Sequence, residues 1–256
     1  LSLVGSEMCI RDRSNLSEKD LDELEKIGVN KINDFRREDE QRQSPSKPIR
    51  ADFIDDYQIS IGDISRFWEF LFDGELTPES SHELVVNSYR SCINDVIPAF
   101  TKFMRELVNN LDGVSVFHCS AGKDRTGMAA ALILGALEVP RKVIVEDYLL
   151  TRKYYNPTRL IEIIEGHLRE AKVKDWDRAW LTPYVSVHED NINAFLDAID
   201  DQYGSIKNYL KDHRVFMTSV IAALSFEGKN IWKIYDKDSI KTSFPNFLSI
   251  IEDLKK

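Results

Sequence analysis

Gly113-Val114-Ser115-Val116-Phe117-His118-Cys119-Ser120-Ala121-Gly122-Lys123-Asp124-Arg125-Thr126-Gly127 is the stretch on which fold and chemistry both turn. The pattern predicts a short buried strand over Gly113 to Phe117 and a small-residue helix over Met128 to Val139, joined by a turn. A loop that runs from a strand into a helix N-terminus aims several backbone N–H groups at one point. The helix dipole adds positive character there, so the loop is a nest for an oxyanion. Cys119 at its base sits in a field that favours the thiolate. Nucleophile and phosphate are thereby brought to one place.

The spacing assigns each residue a task. Cys119 is the expected nucleophile toward phosphorus, through a cysteinyl-phosphate intermediate. Arg125, five intervening residues on, can fork two N–H bonds onto phosphoryl oxygens in a way lysine cannot. Backbone N–H groups from Ser120, Ala121, Gly122 and Lys123 to Arg125 are expected to wrap the remaining oxygens, with Gly122 letting the chain approach closely. The Thr126 hydroxyl, one turn into the helix, can bond the sulfur, and His118 is expected to orient the loop. Positioning and charge stabilisation of a loose phosphoryl transition state then suffice. This chemistry calls for no metal and no cofactor.

A leaving alkoxide or phenoxide needs a proton. Asp124, beside Arg125, is the first candidate for general acid and later base; its competing reading is a helix cap carboxylate. Asp34, in Asn33-Asp34-Phe35-Arg36 at the end of another predicted strand, is the second candidate.

At His118-Cys119-x-x-Gly122-Lys123-Asp124-Arg125-Thr126-Gly127 the chain resembles the cysteine-based protein tyrosine phosphatase superfamily, and within it the atypical bacterial and fungal tyrosine/serine phosphatases. Leu16-Ser17 through Leu24, Ile27-Gly28-Val29 and Asn33-Asp34-Phe35-Arg36 with Glu40 are similar to that family's early segment. Val143 to Leu150 and Tyr203 to Leu210 are similar to its later helices. The resemblance implies a phosphatase-like α/β sandwich, metal-independent hydrolysis of phosphotyrosine, and a range that extends to phosphoserine, phosphothreonine or phosphoinositides. The family's upstream strand and Arg-Ser-Gly-like segment are missing here, and no Trp-Pro-Asp loop places the general acid.

Residues 1–13, with Leu3-Val4-Gly5-Ser6-Glu7-Met8-Cys9-Ile10-Arg11-Asp12-Arg13 at their centre, read as a translated library adaptor, with a genuine N-terminus as the alternative. A phosphatase domain is expected over 14–212 and a helical extension over 213–256, the latter holding Trp232, Tyr235 and an amphipathic run from Phe247 to Leu254. The adaptor reading would mean that an upstream segment, and any leader within it, has been lost.

With 256 residues, 43% hydrophobic and 30% charged, the chain can bury one sizeable core. A net charge of −9 argues against broad nucleic-acid binding, and no apolar run is long enough to span a bilayer. Three cysteines do not make a disulfide framework, so Cys92 and Cys119 are expected reduced, in a cytoplasmic setting, with secretion left open by the missing segment. Cys92 reads as a buried helix residue, its other reading being a resolving thiol for oxidised Cys119.

Outside the loop, the pattern predicts helices over Glu18 to Lys26, Glu83 to Asn110 (interrupted at Pro98), Arg141 to Tyr155, Thr158 to Lys172 and Asn191 to Gln202. Strands are predicted at Val29 to Phe35 and Tyr57 to Ile61. Strands alternate with helices before the loop and helices dominate after it, which indicates an α/β sandwich with a mostly parallel sheet, flanked by helices, and a helix-rich C-terminal half. Phe67, Trp68, Phe70, Leu71 and Phe72 read as core packing, with a lid as the alternative. Arg152, Lys153 and Arg159 read as a solvated helix face or a secondary basic surface. Three functions are open: a tyrosine phosphatase, a dual-specificity or phosphoinositide phosphatase, and a catalytically silent module that binds phosphorylated ligands. Lys123 keeps the lipid substrate open.

Overall fold

The computed structural model of the chain describes residues 17–46, 51–54, 56–62, 64–109 and 114–210. The expected adaptor at 1–13 and the expected extension at 213–256 lie outside these residues. In chain order the elements are α1 (Glu18–Lys26), β1 (Val29–Asp34), α2 (Glu38–Gln43), β2 (Asp52–Ile54), α3 (Ser65–Asp73), α4 (Pro78–Ser91) and α5 (Ile93–Asn109). They continue with β3 (Val114–His118), α6 (Asp124–Ala136), α7 (Arg141–Leu149), α8 (Thr151–Tyr154), α9 (Thr158–Glu170), α10 (Arg178–Val185), α11 (Glu189–Tyr203) and α12 (Ile206–Leu210). The architecture is α/β, with a parallel sheet in the order β2-β1-β3 flanked by helices.

β1 is the central strand, and its register with β3 sets Asn33 opposite Phe117 and Asp34 opposite His118. The carboxyl ends of both strands therefore stop at the same level, directly below the loop. Expectation and structure differ over β3: only His118 at its end is buried, and Val114 is 41% exposed. β3 is bonded to β1 on one side only among the described residues, so an edge strand replaces the fully buried one expected.

α6 is the central helix. Met128, Ala129, Ala130, Ala131, Leu132, Leu134 and Ala136 are all buried, as a helix apolar on every side should be. All but Ala130 pack in the main core with Phe35, Phe100, Phe103, Tyr148, Phe195 and Tyr209. Small residues let neighbours come close. A Cβ on Gly127 would lie 2.7 Å from Cδ2 and Cε2 of Tyr148, so glycine is what admits that ring. On the other side of the sheet a smaller cluster joins Leu24 of α1 to Val29 and Ile32.

Two expectations need correction. Tyr57 to Ile61 forms no strand: Gln58 adopts φ +51, and β2 forms earlier, at Asp52–Ile54. Ile59 spends its N–H on the Phe35 carbonyl and its own carbonyl on Arg125, leaving no ladder to extend. The long helix breaks at Cys92 and not at Pro98. Pro98 sits early in α5, where the missing N–H removes a single bond, whereas the chain at Cys92 turns between two separately packed helices. The aromatic cluster lies on α3, with Phe67 and Leu71 fully buried against Leu76, Ile164, Leu168, Leu181 and Val185. That is core packing between α3, α9 and α10, the first of the two expected readings.

Candidate active site

Cys119 directly follows β3, is 2% exposed, and lies at the floor of the loop. The loop turns at Gly122, whose φ of +64 suits glycine. α6 begins at Asp124, and the Gly127 N–H closes its first turn on the Lys123 carbonyl at 3.1 Å. Among the described residues, none of the N–H groups from Ser120 to Arg125 bonds another backbone carbonyl. Such orphan donors at a helix N-terminus are the anion-binding groups the sequence leads one to expect. The Thr126 hydroxyl donates to Cys119 Sγ at 3.2 Å.

Arg125 is held from several sides. Nη1 donates to Glu40 Oε2 at 2.6 Å and Nη2 to Glu40 Oε1 at 2.7 Å. Nη1 also reaches the carbonyls of Ile59 at 3.2 Å and Phe35 at 3.4 Å, and Nη2 reaches Ser120 Oγ at 3.3 Å. The Ser120 hydroxyl donates in turn to Glu40 Oε1. Burial pushes the Glu40 carboxyl up, but the bonds and charge of Arg125 overcome this and hold it at about 2. Glu40 is thus an anion at neutral pH. It fixes the plane of the guanidinium, and Nε takes part in none of these bonds.

Asp34 is fully buried beneath the loop, its carboxylate occupied by Arg36: Nε lies 3.0 Å from both oxygens and Nη2 is 2.7 Å from Oδ2. Arg36 continues to the Ser44 carbonyl at 2.8 Å and Ser46 Oγ at 2.7 Å. This buried pair ties both ends of α2 to β1, and α2 carries Glu40. His118 sits between these parts, its Nδ1 3.2 Å from the Cys119 carbonyl and its Nε2 3.7 Å from Asp34 Oδ2.

Asp124 occupies the opposite rim of the loop. Tyr89 donates its hydroxyl to Asp124 Oδ1. With that proton committed, Tyr148 is the donor in its 2.8 Å contact with the Tyr89 oxygen. Burial, with the Asp124 charge beside it, pushes both phenols well above the usual tyrosine range, so both remain protonated donors. Lys123 bridges Asp124, at 2.8 and 2.7 Å from its two oxygens, to the Tyr184 carbonyl at 2.9 Å. Tyr184 stacks on Phe67 with ring centroids 4.8 Å apart, so α3 and α10 brace the lysine.

Every loop residue singled out in the sequence therefore lies at one place, with Asp34 below them and Asp124 on the rim. Glu40 and Tyr89 stand out only in three dimensions; Glu40 entered the sequence reading through the family resemblance alone, and nothing local marks Tyr89. Cys92 lies in the core, Sγ 3.4 Å from the Tyr89 carbonyl, and burial pushes its thiol up to about 12. That is the behaviour of a buried helix-end residue. Arg152 is spent on the Val187 carbonyl at 2.8 Å, bracing the turn before α11.

A strand-to-helix loop with a cysteine at its floor and an arginine on its wall defines a class, and comparison with known proteins agrees. The chain belongs to the tyrosine phosphatase family, whose pattern it matches over residues 10–227. It is 28% identical over 200 residues to a tyrosine-protein phosphatase of Nostoc commune, a match covering 78% of this chain and 66% of the relative. It is 35% identical over 109 residues to the triple specificity protein phosphatase PtpB of Mycobacterium tuberculosis, covering 40% of each. The chain spans about two thirds of the length of the Nostoc relative. Among the described residues, no helix is long and apolar enough to cross a membrane.

Proposed function

We propose that the chain hydrolyses phosphomonoesters without a metal, with Cys119 as nucleophile and phosphotyrosine in proteins or peptides as the leading substrate. The observation that carries this reading is the convergence of Cys119 Sγ, the Thr126 hydroxyl and the Arg125 guanidinium on one loop whose N–H groups bond no backbone carbonyl among the described residues. Cys119 Sγ attacks phosphorus, the P–O ester bond breaks, and Asp124 delivers a proton to the departing phenoxide. Water then attacks the cysteinyl phosphate with Asp124 as base, the S–P bond breaks, and inorganic phosphate leaves. Arg125, with the backbone of Ser120 to Arg125, holds the equatorial oxygens throughout.

Asp34 is a positioning group in this scheme: both acids are paired, Asp34 with Arg36 and Asp124 with Tyr89 and Lys123, but only Asp124 on the rim is open to a leaving group, whereas Asp34 is fully buried. Glu40 positions Arg125, and Tyr89 with Lys123 positions Asp124. A wider range that includes phosphoserine, phosphothreonine and phosphoinositides is the second reading. It is supported by Lys123 beside the loop and by the triple specificity for which the Mycobacterium relative is named. This reading takes 14–212 as the phosphatase domain, a span that falls within the family match over residues 10–227, and a cytoplasmic setting in keeping with reduced cysteines.

The test is phosphate release in chelator by the unmutated chain and by Cys119→Ser, on a phosphotyrosine peptide, a phosphoserine peptide and a phosphoinositide in parallel. Turnover by the unmutated chain alone is expected, fastest on phosphotyrosine. Binding of phosphopeptide by folded protein without turnover would mean a silent binding module.

A further inference from the structure

We propose a second site, for a first-row transition metal ion of the zinc class, at the junction of α4 and α11 and apart from the phosphate nest. It is formed by His82, His188 and Asp190. His82 Nε2 lies 3.0 Å from Asp190 Oδ2, and His188 Nδ1 lies 3.1 Å from the same oxygen. All three ligand atoms fall within 4.8 Å of one another. A tetrahedral zinc ion with bonds of ~2.0–2.1 Å requires ligand atoms roughly 3.3 Å apart. Two of the three edges are already close to that length. Two imidazoles and one carboxylate are a donor set that suits zinc, and a water would complete the tetrahedron from the solvent side.

The contacts that now stand there converge on one carboxylate oxygen. His188 is the N-cap of α11, and its Nδ1 accepts from the Asp190 N–H in a long contact of 3.4 Å. Asp190 Oδ2 is thus the shared partner of both imidazoles, and a metal ion at their meeting point would take the His188 Nδ1 lone pair in place of the long contact from the Asp190 N–H. Both helix N-termini oppose a cation through their dipoles, but Glu79, Glu189 and Asp190 in their first turns offset this.

The site is also rigidly backed. Ser81 and Val85 flank His82 on the buried side of α4, while Asn191 and Ile192 follow Asp190 into the core. A bound ion would staple α4 to α11. Tyr89, two turns beyond His82 on α4, is the residue that holds Asp124.

The experiment uses the full chain carrying Cys119→Ser, so that the loop thiol cannot serve as a ligand. At zinc a hundredfold above Kd, Tm is expected to rise by roughly 5–10 °C. Cobalt should give the visible absorption of a tetrahedral nitrogen–oxygen site, without a thiolate charge-transfer band. Both signals should vanish in His82→Ala and in His188→Ala. The cobalt spectrum of the chain with both histidines present keeps the proposal testable if either variant fails to fold. No shift and no spectrum, signals retained in both variants, or a thiolate band would each overturn it.

Discussion

Glu40 and Arg125 meet end to end through two hydrogen bonds of 2.6 and 2.7 Å, although 85 residues separate them in the chain. A guanidinium held on one edge by a carboxylate cannot rotate, and Nε, which none of these bonds uses, is the donor that would meet a phosphoryl group in the proposed reaction. The pair orders the arginine before substrate arrives, which lowers the entropy that binding must overcome. Glu40→Gln keeps the shape but removes the charge. A charge-assisted bond of roughly 1.5–3 kcal/mol is at stake, so kcat/KM on a phosphotyrosine peptide should fall roughly 10–100-fold. Steady-state kinetics would show this, and an unchanged kcat/KM would remove Glu40 from the positioning role.

The same pair sets an acid limit. Glu40 is held at about 2 against an ordinary 4.5, a depressed value. Its stabilisation is therefore complete above about 4.5 and is lost as pH falls from there through about 2. The contribution is at most on the order of 3 kcal/mol. Urea midpoints between pH 5 and 2 should fall more steeply for the unmutated chain than for Glu40→Gln, and parallel curves would refute this.

Asp124→Asn tests the proton donor. With a phosphotyrosine peptide kcat should drop ~10²–10⁴-fold, while a substrate whose leaving group needs no proton should lose far less. Tyr89→Phe, which removes only the hydroxyl that positions Asp124, should give a smaller loss with the same dependence on leaving group. An equal loss on both substrates would mean that Asp124 serves the fold and not the proton transfer.

Gly127 and Gly135 lie on the same helix and should differ sharply. A Cβ at Gly127 meets the buried Tyr148 ring at 2.7 Å, whereas at Gly135 it meets the terminal Cδ1 of Ile206 at 2.1 Å. The isoleucine can change rotamer; the ring, enclosed in the core and bonded to Tyr89, cannot. Gly127→Ala should cost ~1–3 kcal/mol and also lower activity, with Gly135→Ala milder in both respects. Thermal melts and turnover of the two variants together decide it.

Vanadate should inhibit competitively as a trigonal-bipyramidal mimic, and chelator should leave turnover intact well below Tm. Mild peroxide should inactivate the chain reversibly with added thiol. Because burial holds Cys92 at about 12, Cys92→Ala should not alter that reversal, as activity recovery would show.

How much could be read in advance follows the distance over which each feature is encoded. Cys119, Thr126 and Arg125 are adjacent in sequence, and a strand-turn-helix context suffices to bring them together. α1 was legible to the residue, because Ser17 and Asp20 form a capping box around its start and an apolar stripe marks its length. β2 escaped notice: three residues, none of them buried, carry no period that could be read. The break at Cys92 escaped as well, since proline is the louder signal, yet packing between α4 and α5 decides where the chain turns.

The sequence by itself determined the strand-turn-helix loop that carries Cys119, Thr126 and Arg125, and with it the family and the parallel α/β frame, because those depend on neighbours along the chain and on local periodicity. Only the tertiary structure decided that Glu40 holds Arg125, that Tyr89 and Lys123 hold Asp124, and that Asp34 is spent on Arg36. Those pairings are set by strand register and helix packing, in which residues far apart in sequence meet because the core leaves them no other place.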